Sequence, residues 1–372
     1  MTTKNSDYLY WMVASDIHLH HPRTPTRLII ENLDRDIIRN PEARLLDIIW
    51  IPGDLLDRLL TVPDIDNHLI TMFLGRLLRF CKKHDIALRI LEGTGSHDYS
   101  QSAIIVTINE AMGIDADLRY YNKLSYDTEE RFGISVLYVP DELNADATVT
   151  WKQTQKLLSD FGATHVDYAI MHGMFEFQLP AHVNDLSAHL SSRFESIVRK
   201  HVVIGHHHTH RIEGKIIVPG SFDRLAHNEE MAKGSIWCKD YGNRTEVKFL
   251  ENVGAKIYKS IHIGGLSIDE AIARVDAVVE GKPPGSAFLV KGSSEDPASK
   301  AGDLFKSRHD KYVWSFSFER EDKTSQRIEE MEVSYTPVRI DKDNLPSLTM
   351  ERLATDDQTI RKLSASLLAN VL

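Results

Sequence analysis

The sequence predicts a layered α/β fold, because short apolar runs alternate along it with stretches of helical periodicity. The runs are rich in Ile, Val and Tyr, and their length is typical of buried strands. Strands that alternate with helices form layered α/β domains. Five of the runs also end in aspartate, serine or histidine, and ligands of such domains bind at the carboxyl ends of strands. The same pattern therefore predicts both a fold and the position of a site.

Each of the five predicted strands carries one of these polar ends. The five runs read YWMVASDIHLH, LLDIIWIPGDLLDR, ALRILEGTGSHD, VDYAIMHG and HVVIGHHHTH, and they begin at Tyr10, Leu45, Ala87, Val166 and His201. Between them, NHLITMFLGRLLRFCKKH and WKQTQKLLSDF have apolar residues at helical spacing, and the first ends in basic residues. After the last run, three short segments predict an antiparallel finish: KIIVPGSFDR, GSIWCKDY and TEVKFLEN.

Three regions are predicted. Residues 1–253 form the main α/β domain. Residues 254–325 form a small α+β capping domain, with strands KIYKSIHIGG, SAFLVKG and YVWSFSFERE and a helix from Ser267. Residues 326–372 form a C-terminal helical tail, whose apolar residues lie on one helical face: Ile360, Leu363, Leu367, Leu368 and Val371. An isolated helix this short is marginal in water, so we expect it to dock on a partner, with packing on its own domain as the alternative.

Composition narrows the class of protein. Of 372 residues, 42% are hydrophobic and 26% charged, which is ordinary for a globular protein. No apolar run has membrane-spanning length, the N-terminus lacks a signal-peptide pattern, and two cysteines make no disulfide framework. We therefore expect a cytoplasmic protein without membrane attachment. The net charge of −10 works against non-specific binding to a polyanion, so a nucleic-acid substrate would need metals or a partner.

The strand ends together predict a metal centre. Their candidate ligands are Asp16, His18, Asp54, Ser96, His172, His206 and His208, with His97 beside them. Each motif alone has a plainer interpretation: a polar strand end, an aspartate that caps a helix, or an exposed histidine cluster. Five such motifs in succession, each closing an apolar run, favour ligation. Mixed nitrogen and oxygen ligands suit Mn, Fe or Zn better than Mg or Ca.

This order of motifs resembles the calcineurin-like metallophosphoesterase superfamily, whose pattern is D-x-H, G-D with a following D or R, G-N-H-D/E, a lone H, and G-H-x-H. The resemblance runs from Tyr8 to Leu250 and implies a layered β-sandwich flanked by helices. It implies two divalent metal ions, expected to be Mn²⁺. One ion would be held by Asp16, His18, Asp54 and His208, and the other by Asp54, Ser96, His172 and His206, with Asp54 as the bridge. The implied chemistry is two-metal hydrolysis of a phosphate ester.

Four further residues are candidates for roles at this site. His97 would contact the phosphate or protonate the leaving oxygen, although it could also be a turn histidine. Asp57 would orient His97 or pair with Arg58. Arg58 and His20 are candidate substrate-binding residues, and surface roles are equally compatible with His20.

Ser96 departs from the superfamily pattern, in which an asparagine stands at that position. A serine hydroxyl is shorter, and it can ligate directly or hold a ligating water. Because the other predicted ligands are intact, we expect a weakened metal site and retained activity.

The segment KIIVPGSFDRLAHNEEMAKGSIWCKD resembles SbcD-type nuclease subunits of double-strand-break repair. This resemblance implies a metal-dependent DNA nuclease, acting as exonuclease on duplex ends and endonuclease on single strands. The implied partners are DNA and an SbcC-type SMC-like coiled-coil ATPase, with homodimerisation possible in principle. Two alternatives stay open: a stand-alone phosphatase or phosphodiesterase on a small molecule, and a catalytically silent scaffold that binds DNA ends, which Ser96 alone suggests.

Overall fold

All five predicted strands are present in the computed structural model, which describes residues 7–141, 144, 146–180, 183 and 185–319. The predicted tail, 326–372, lies outside the described residues. Within them the strands are β1 (Leu9–Val13), β2 (Ile48–Pro52), β3 (Ala87–Leu91), β4 (Leu118–Tyr121), β5 (Ser125–Glu129), β6 (Ile134–Val139), β7 (Val166–His172), β8 (Val198–Gly205), β9 (Arg211–Glu213), β10 (Ile216–Val218), β11 (Gly234–Asp240), β12 (Thr245–Glu251), β13 (Tyr258–His262), β14 (Ala287–Ser293) and β15 (Val313–Glu319). The α-helices are α1 (Thr26–Leu33), α2 (Ile65–His84), α3 (Ile104–Ala111), α4 (Ala147–Asp160), α5 (Ser191–Ile197), α6 (Ile268–Val279) and α7 (Gly302–Arg308).

Two mixed sheets of six strands each organise the larger part of the chain. The first has the order β12-β11-β1-β2-β3-β4, in which β1 to β4 are parallel and β11 runs antiparallel to β1. The second has the order β5-β6-β7-β8-β10-β9, with β6, β7, β8 and β10 parallel. The antiparallel pairing predicted for the last strands of this domain is therefore present for β11 and β12. Strand β10, in contrast, pairs parallel with β8 and antiparallel with β9.

The two sheets pack face to face around a shared aromatic core. Alternate residues of β1 point to opposite faces, as in any strand. Trp11 therefore lies between the sheets, while Met12 faces helices on the outside. Trp11, Trp50 and Tyr168 meet across this interface with ring centroids 5.2–5.8 Å apart. These rings fix how the two sheets sit against each other.

Helices cover both outer faces of the sandwich. The predicted amphipathic helix is α2, which buries Phe73, Leu74 and Leu77 against the first sheet and is followed by Asp85 in a left-handed conformation (φ 56°). The second predicted helix is α4, which lies on the outer face of the second sheet through Leu158. The layered α/β prediction is confirmed at this level.

A third sheet, β13-β14-β15, has its own apolar core. Its helix α6 is preceded by Ser267, the N-cap, which forms a capping box with Glu270. Both strand pairs are parallel, so the predicted α+β arrangement is wrong and this region is α/β. The reason is that parallel neighbours need a long crossover, and here a helix lies between each pair of successive strands.

The predicted boundaries at 253 and 325 stay predictions. In the described parts of the chain, no helix combines the length and apolarity that crossing a membrane requires.

Candidate metal centre

The predicted ligands lie at one edge of the sandwich, where strands of both sheets end. In the order β1, β2, β3, β7 and β8, the strand ends carry Asp16 and His18, then Asp54, then Ser96 and His97, then His172, then His206 and His208. The loops after β1 and β2 run side by side, since His18 N donates to Asp54 O at 3.0 Å. Sequence-distant side chains therefore converge on one region.

The backbone at these residues is unusual. Asp16, His18, Asp54 and His206 have φ values of 49°, 51°, 49° and 95°. Left-handed backbone is uncommon for residues other than glycine and clusters at functional sites, where neighbouring contacts hold it in place. The main-chain N–H of His206 supplies one such contact by donating to Asp16 Oδ1 at 2.8 Å.

Two glycines allow the loops to approach one another. A Cβ on Gly93 would lie 2.1 Å from Asp54 N, and a Cβ on Gly53 would lie 2.1 Å from His172 Nδ1. Gly53 also has φ 86°, a conformation that glycine adopts at no steric cost. Any larger residue at either position would push the loops after β2, β3 and β7 apart.

A first cluster joins Asp16, His18 and His208, whose ligand atoms all lie within 4.8 Å of one another. His18 Nε2 and His208 Nε2 are 3.2 Å apart, and His208 Nε2 is 3.9 Å from Asp16 Oδ1. Asp16 Oδ2 is buried and has no hydrogen-bond partner among the described residues. A buried carboxylate oxygen left without a donor is what a cation would satisfy.

The opposite nitrogens of both rings face carboxylates. His18 Nδ1 lies 3.1 Å from Asp57 Oδ1, and His208 Nδ1 lies 2.7 Å from Glu229 Oε1. Because a carboxylate only accepts, each Nδ1 carries the proton. In the neutral rings both Nε2 atoms then present lone pairs to the cluster, the usual arrangement of metal-ligating histidines. Glu229 was not predicted to belong to the site.

A second cluster joins Asp54, His172 and His206, again with ligand atoms within 4.8 Å. His172 Nε2 is 3.3 Å from Asp54 Oδ1, while His172 Nδ1 donates to Pro52 O at 2.8 Å. The other carboxylate oxygen of Asp54 is 3.7 Å from His18 Nε2 in the first cluster. Asp54 therefore lies between the two clusters with one oxygen toward each.

Thr94 contacts the second cluster, and sequence reasoning missed it. Its hydroxyl lies 3.2 Å from His172 Nε2, 3.3 Å from His206 Nδ1 and 3.4 Å from Asp54 Oδ2. Ser96, the predicted ligand, is exposed on the turn that follows. The sequence signal that could have identified Thr94 is the pair of glycines in EGTGSHD. Thr94 follows the first glycine after β3, and Ser96 follows the second.

Two of the remaining predicted residues, Asp57 and His97, lie beside His18 of the first cluster. His97 Nδ1 donates to the main-chain oxygen of Asp57 at 2.9 Å, and the rings of His97 and His18 are 4.9 Å apart. The Asp57 carboxylate faces His18 and is 3.5 Å from Arg58 Nε. His20 contacts none of the cluster residues and pairs instead with Asp66 at 2.9 Å.

Burial and neighbouring charges shift the pKa values of Asp54 and His172. Burial disfavours ionisation of Asp54, but the adjacent His172 holds the pKa of this carboxyl well below its usual value. Burial likewise opposes a charged His172, yet Asp54 raises the pKa of His172 to about 10. Without an ion, this pair is held as carboxylate and imidazolium. An ion entering the second cluster must therefore displace a proton.

The donor set fits a metal ion. Six carboxylate and imidazole side chains form two mostly buried groups, and the first contains an unpartnered carboxylate oxygen and two ring nitrogens 3.2 Å apart. These His and Asp clusters could each hold an ion.

Comparisons with known proteins add little. No protein-family model matches the chain, and a search of curated proteins found no match. The solved structure of TT1561 of Thermus thermophilus aligns with a TM-score of 0.39 at 12% identity, over 65% of this chain and 99% of that chain. A second solved structure aligns with a TM-score of 0.39 at 11% identity and the same coverage. Similarities this low indicate no function.

Proposed function

We propose that this chain is a two-metal phosphodiesterase of the calcineurin-like type that cuts DNA as the nuclease subunit of an SbcCD-like complex in DNA repair or recombination. The position of Asp54 supports this most directly. Its two carboxylate oxygens face different clusters, at 3.3 Å from His172 Nε2 and 3.7 Å from His18 Nε2. A carboxylate shared in this way is suited to bridge two ions.

When bound, two divalent ions, expected to be Mn²⁺, would neutralise phosphoryl oxygens and lower the pKa of attacking water. The chain's own contribution is to hold phosphate and protons in place. His97 donates its Nδ1 proton to Asp57 O, so its Nε2 remains for the substrate. From there an imidazolium can protonate the leaving oxygen, and a neutral ring can accept from the substrate.

The segment that resembles SbcD-type subunits packs directly beside the site. Ser221 forms a bridge with Ser15, and Phe222 N donates to Ser15 O at 3.1 Å, one residue before Asp16. This contact supports a role for the segment in shaping the centre. An SbcC-type ATPase would supply the grip on DNA that a chain of charge −10 lacks.

Purified protein with added Mn²⁺ should be offered a linear DNA duplex and bis-p-nitrophenyl phosphate. Hydrolysis of both supports the proposal. Hydrolysis of the small ester alone favours a stand-alone phosphodiesterase, and hydrolysis of neither, with duplex ends bound, favours a silent scaffold.

Asp54→Asn should lower both rates by more than the roughly 10–100-fold typical of a lost outer-shell partner, without unfolding the chain. Asp160→Asn, in an exposed ion pair with Lys156, is the matched control and should leave both rates unchanged.

A further inference from the structure

Two charged residues on the far side of His208 form a buried cluster that no part of the proposed chemistry uses. Glu229 and Lys233 lie in the irregular segment between β10 and β11. Lys233 is 1% exposed and Glu229 is 8% exposed. Their charged atoms are 2.9 Å apart. Buried ion pairs carry a large desolvation cost, so their contacts indicate what they hold in place.

The Glu229 carboxylate is fully engaged. One oxygen accepts from His208 Nδ1 at 2.7 Å. The other accepts from Lys233 Nζ and, at 3.2 Å, from Leu225 N. The carboxylate therefore cannot rotate away from the ring without breaking the bonds to its second oxygen.

The Lys233 ammonium contacts the same histidine from another side. Its three protons match three acceptors: His208 O at 2.7 Å, Ser221 Oγ at 2.8 Å and Glu229 Oε2 at 2.9 Å. Ser221 N also donates to His208 O, at 3.3 Å. Lys233 thus fixes the main chain of His208 directly and its ring through Glu229.

We propose that Glu229 and Lys233 are positioning residues that hold His208 as a ligand of the first cluster. Glu229 keeps the proton on Nδ1, so that the Nε2 lone pair points toward Asp16 and His18. Lys233 binds both the His208 main-chain oxygen and the Glu229 carboxylate and so fixes their relative positions. This inference rests on the proposed metal centre and assigns to it two residues from the SbcD-like segment.

The neighbouring Glu230 provides a matched control. Its carboxylate pairs with Lys259 at 2.7 Å and accepts from Ser260 N at 2.6 Å, away from His208. Glu229→Ala and Glu230→Ala thus remove the same carboxylate from adjacent positions, and only the first change touches the ring.

Calorimetric titration with Co²⁺ should show two sites in the wild type. In Glu229→Ala, one site should weaken by about 10–100-fold, the range for lost outer-shell partners of metal ligands, while the other keeps its affinity. Glu229→Gln keeps an acceptor for the ring and should weaken the same site less. Lys233→Met should weaken that site too, and Glu230→Ala should match the wild type.

The tautomer of His208 gives a second readout that needs no metal. Nitrogen-15 NMR of the metal-free protein should show Nδ1–H in the wild type and in Glu230→Ala, but a mixture of tautomers in Glu229→Gln. If the wild type binds no ion, the proposed function fails, and this spectrum still decides the role of Glu229. A folded Glu229 variant with unchanged affinities and an unchanged tautomer overturns the inference.

Discussion

Thr94 closes one side of the second cluster with a hydroxyl. A neutral hydroxyl within 3.2–3.4 Å of two imidazole nitrogens and a carboxylate oxygen can ligate an ion or hold a ligating water. The asparagine of the superfamily pattern would offer an amide oxygen on a longer side chain. The affinity of this cluster therefore depends on which of the two turn hydroxyls, Thr94 or Ser96, serves the ion.

Thr94→Ala should raise the Mn²⁺ concentration needed for half-maximal hydrolysis by about tenfold, because the cluster loses its nearest hydroxyl. Ser96→Ala, the matched removal of an exposed hydroxyl two residues away, should leave that concentration unchanged. Metal titrations of hydrolysis rate and calorimetry would measure both. The reverse order of effects would return Ser96 to the role predicted from the sequence.

His97 is expected to act on substrate and not on metal. Its Nδ1 is committed to Asp57 O, and it belongs to neither ligand cluster, although it forms a third group of possible metal-binding side chains with His18 and Asp57. His97→Ala should therefore slow turnover by roughly 10²–10⁴-fold, the range for a lost general acid, with metal affinity retained. Loss of a metal site in calorimetry would instead make His97 a ligand, and an unchanged rate would make it a turn residue.

The His172–Asp54 pair predicts how metal affinity depends on pH. Burial opposes the charged ring, but Asp54 raises the pKa of His172 from 6.5 to about 10. In the metal-free protein the contribution of His172 to stability is complete below pH 6.5 and is lost as pH rises through about 10. An entering ion must displace the His172 proton, so affinity should rise about tenfold per pH unit between pH 7 and 9. Calorimetry in buffers of different ionisation enthalpy would count the released proton, and a pH-independent affinity would contradict this assignment.

At the scale of elements, Asp98 ties the loop after β2 to the loop after β3. Its buried carboxylate accepts from Leu56 N at 2.9 Å and from Gly93 N at 2.7 Å. Burial raises the pKa of Asp98 to about 7, and nearby Asp54 adds to this shift. The carboxylate is held there because two buried main-chain donors need an acceptor.

Asp98→Ala should lower the free energy of unfolding by about 1–3 kcal/mol for each of the two donors it leaves unsatisfied. Urea denaturation followed by circular dichroism would measure this loss. Asp160→Ala removes an exposed carboxylate and should change stability far less. A loss no larger than that of the control would mean that other acceptors replace Asp98.

The elements themselves were predictable where local pattern decides them. Strand β2 could be predicted because its five buried residues form an unbroken apolar run. Helix α2 could be predicted because its apolar residues recur at helical spacing. The parallel pairing of β13, β14 and β15 was not, since pairing joins residues far apart in sequence. Thr94 and Glu229 were missed for a related reason. Their roles depend on the close approach of Gly93 to Asp54 and on the course of an irregular segment, which no periodicity encodes.

At the scale of the whole molecule, each cluster takes ligands from both sheets. Asp16 and His18 follow β1 and Asp54 follows β2, all in the first sheet, whereas His172, His206 and His208 belong to the second. Any ion held by these side chains would connect the two halves of the sandwich, in addition to the aromatic core between them.

Mn²⁺ should therefore stabilise the folded chain against heat. An ion that binds only the folded state at a hundred times its dissociation constant adds about 2.7 kcal/mol. Differential scanning calorimetry with Mn²⁺ and with a chelator should show a higher Tm in the first case. In Asp54→Asn, which removes the shared ligand, the difference should shrink. Equal Tm values for the wild type under both conditions would contradict binding at these clusters.

The separation of the ligands along the chain also has a consequence during synthesis. His18 and His208, whose ring nitrogens meet at 3.2 Å, are 190 residues apart in the sequence. A ribosome-bound chain that has not yet extended past β8 possesses four of the five strand ends but lacks His206 and His208, which complete the two clusters. An ion can then meet the complete ligand set of either cluster only after nearly the entire sandwich has been translated.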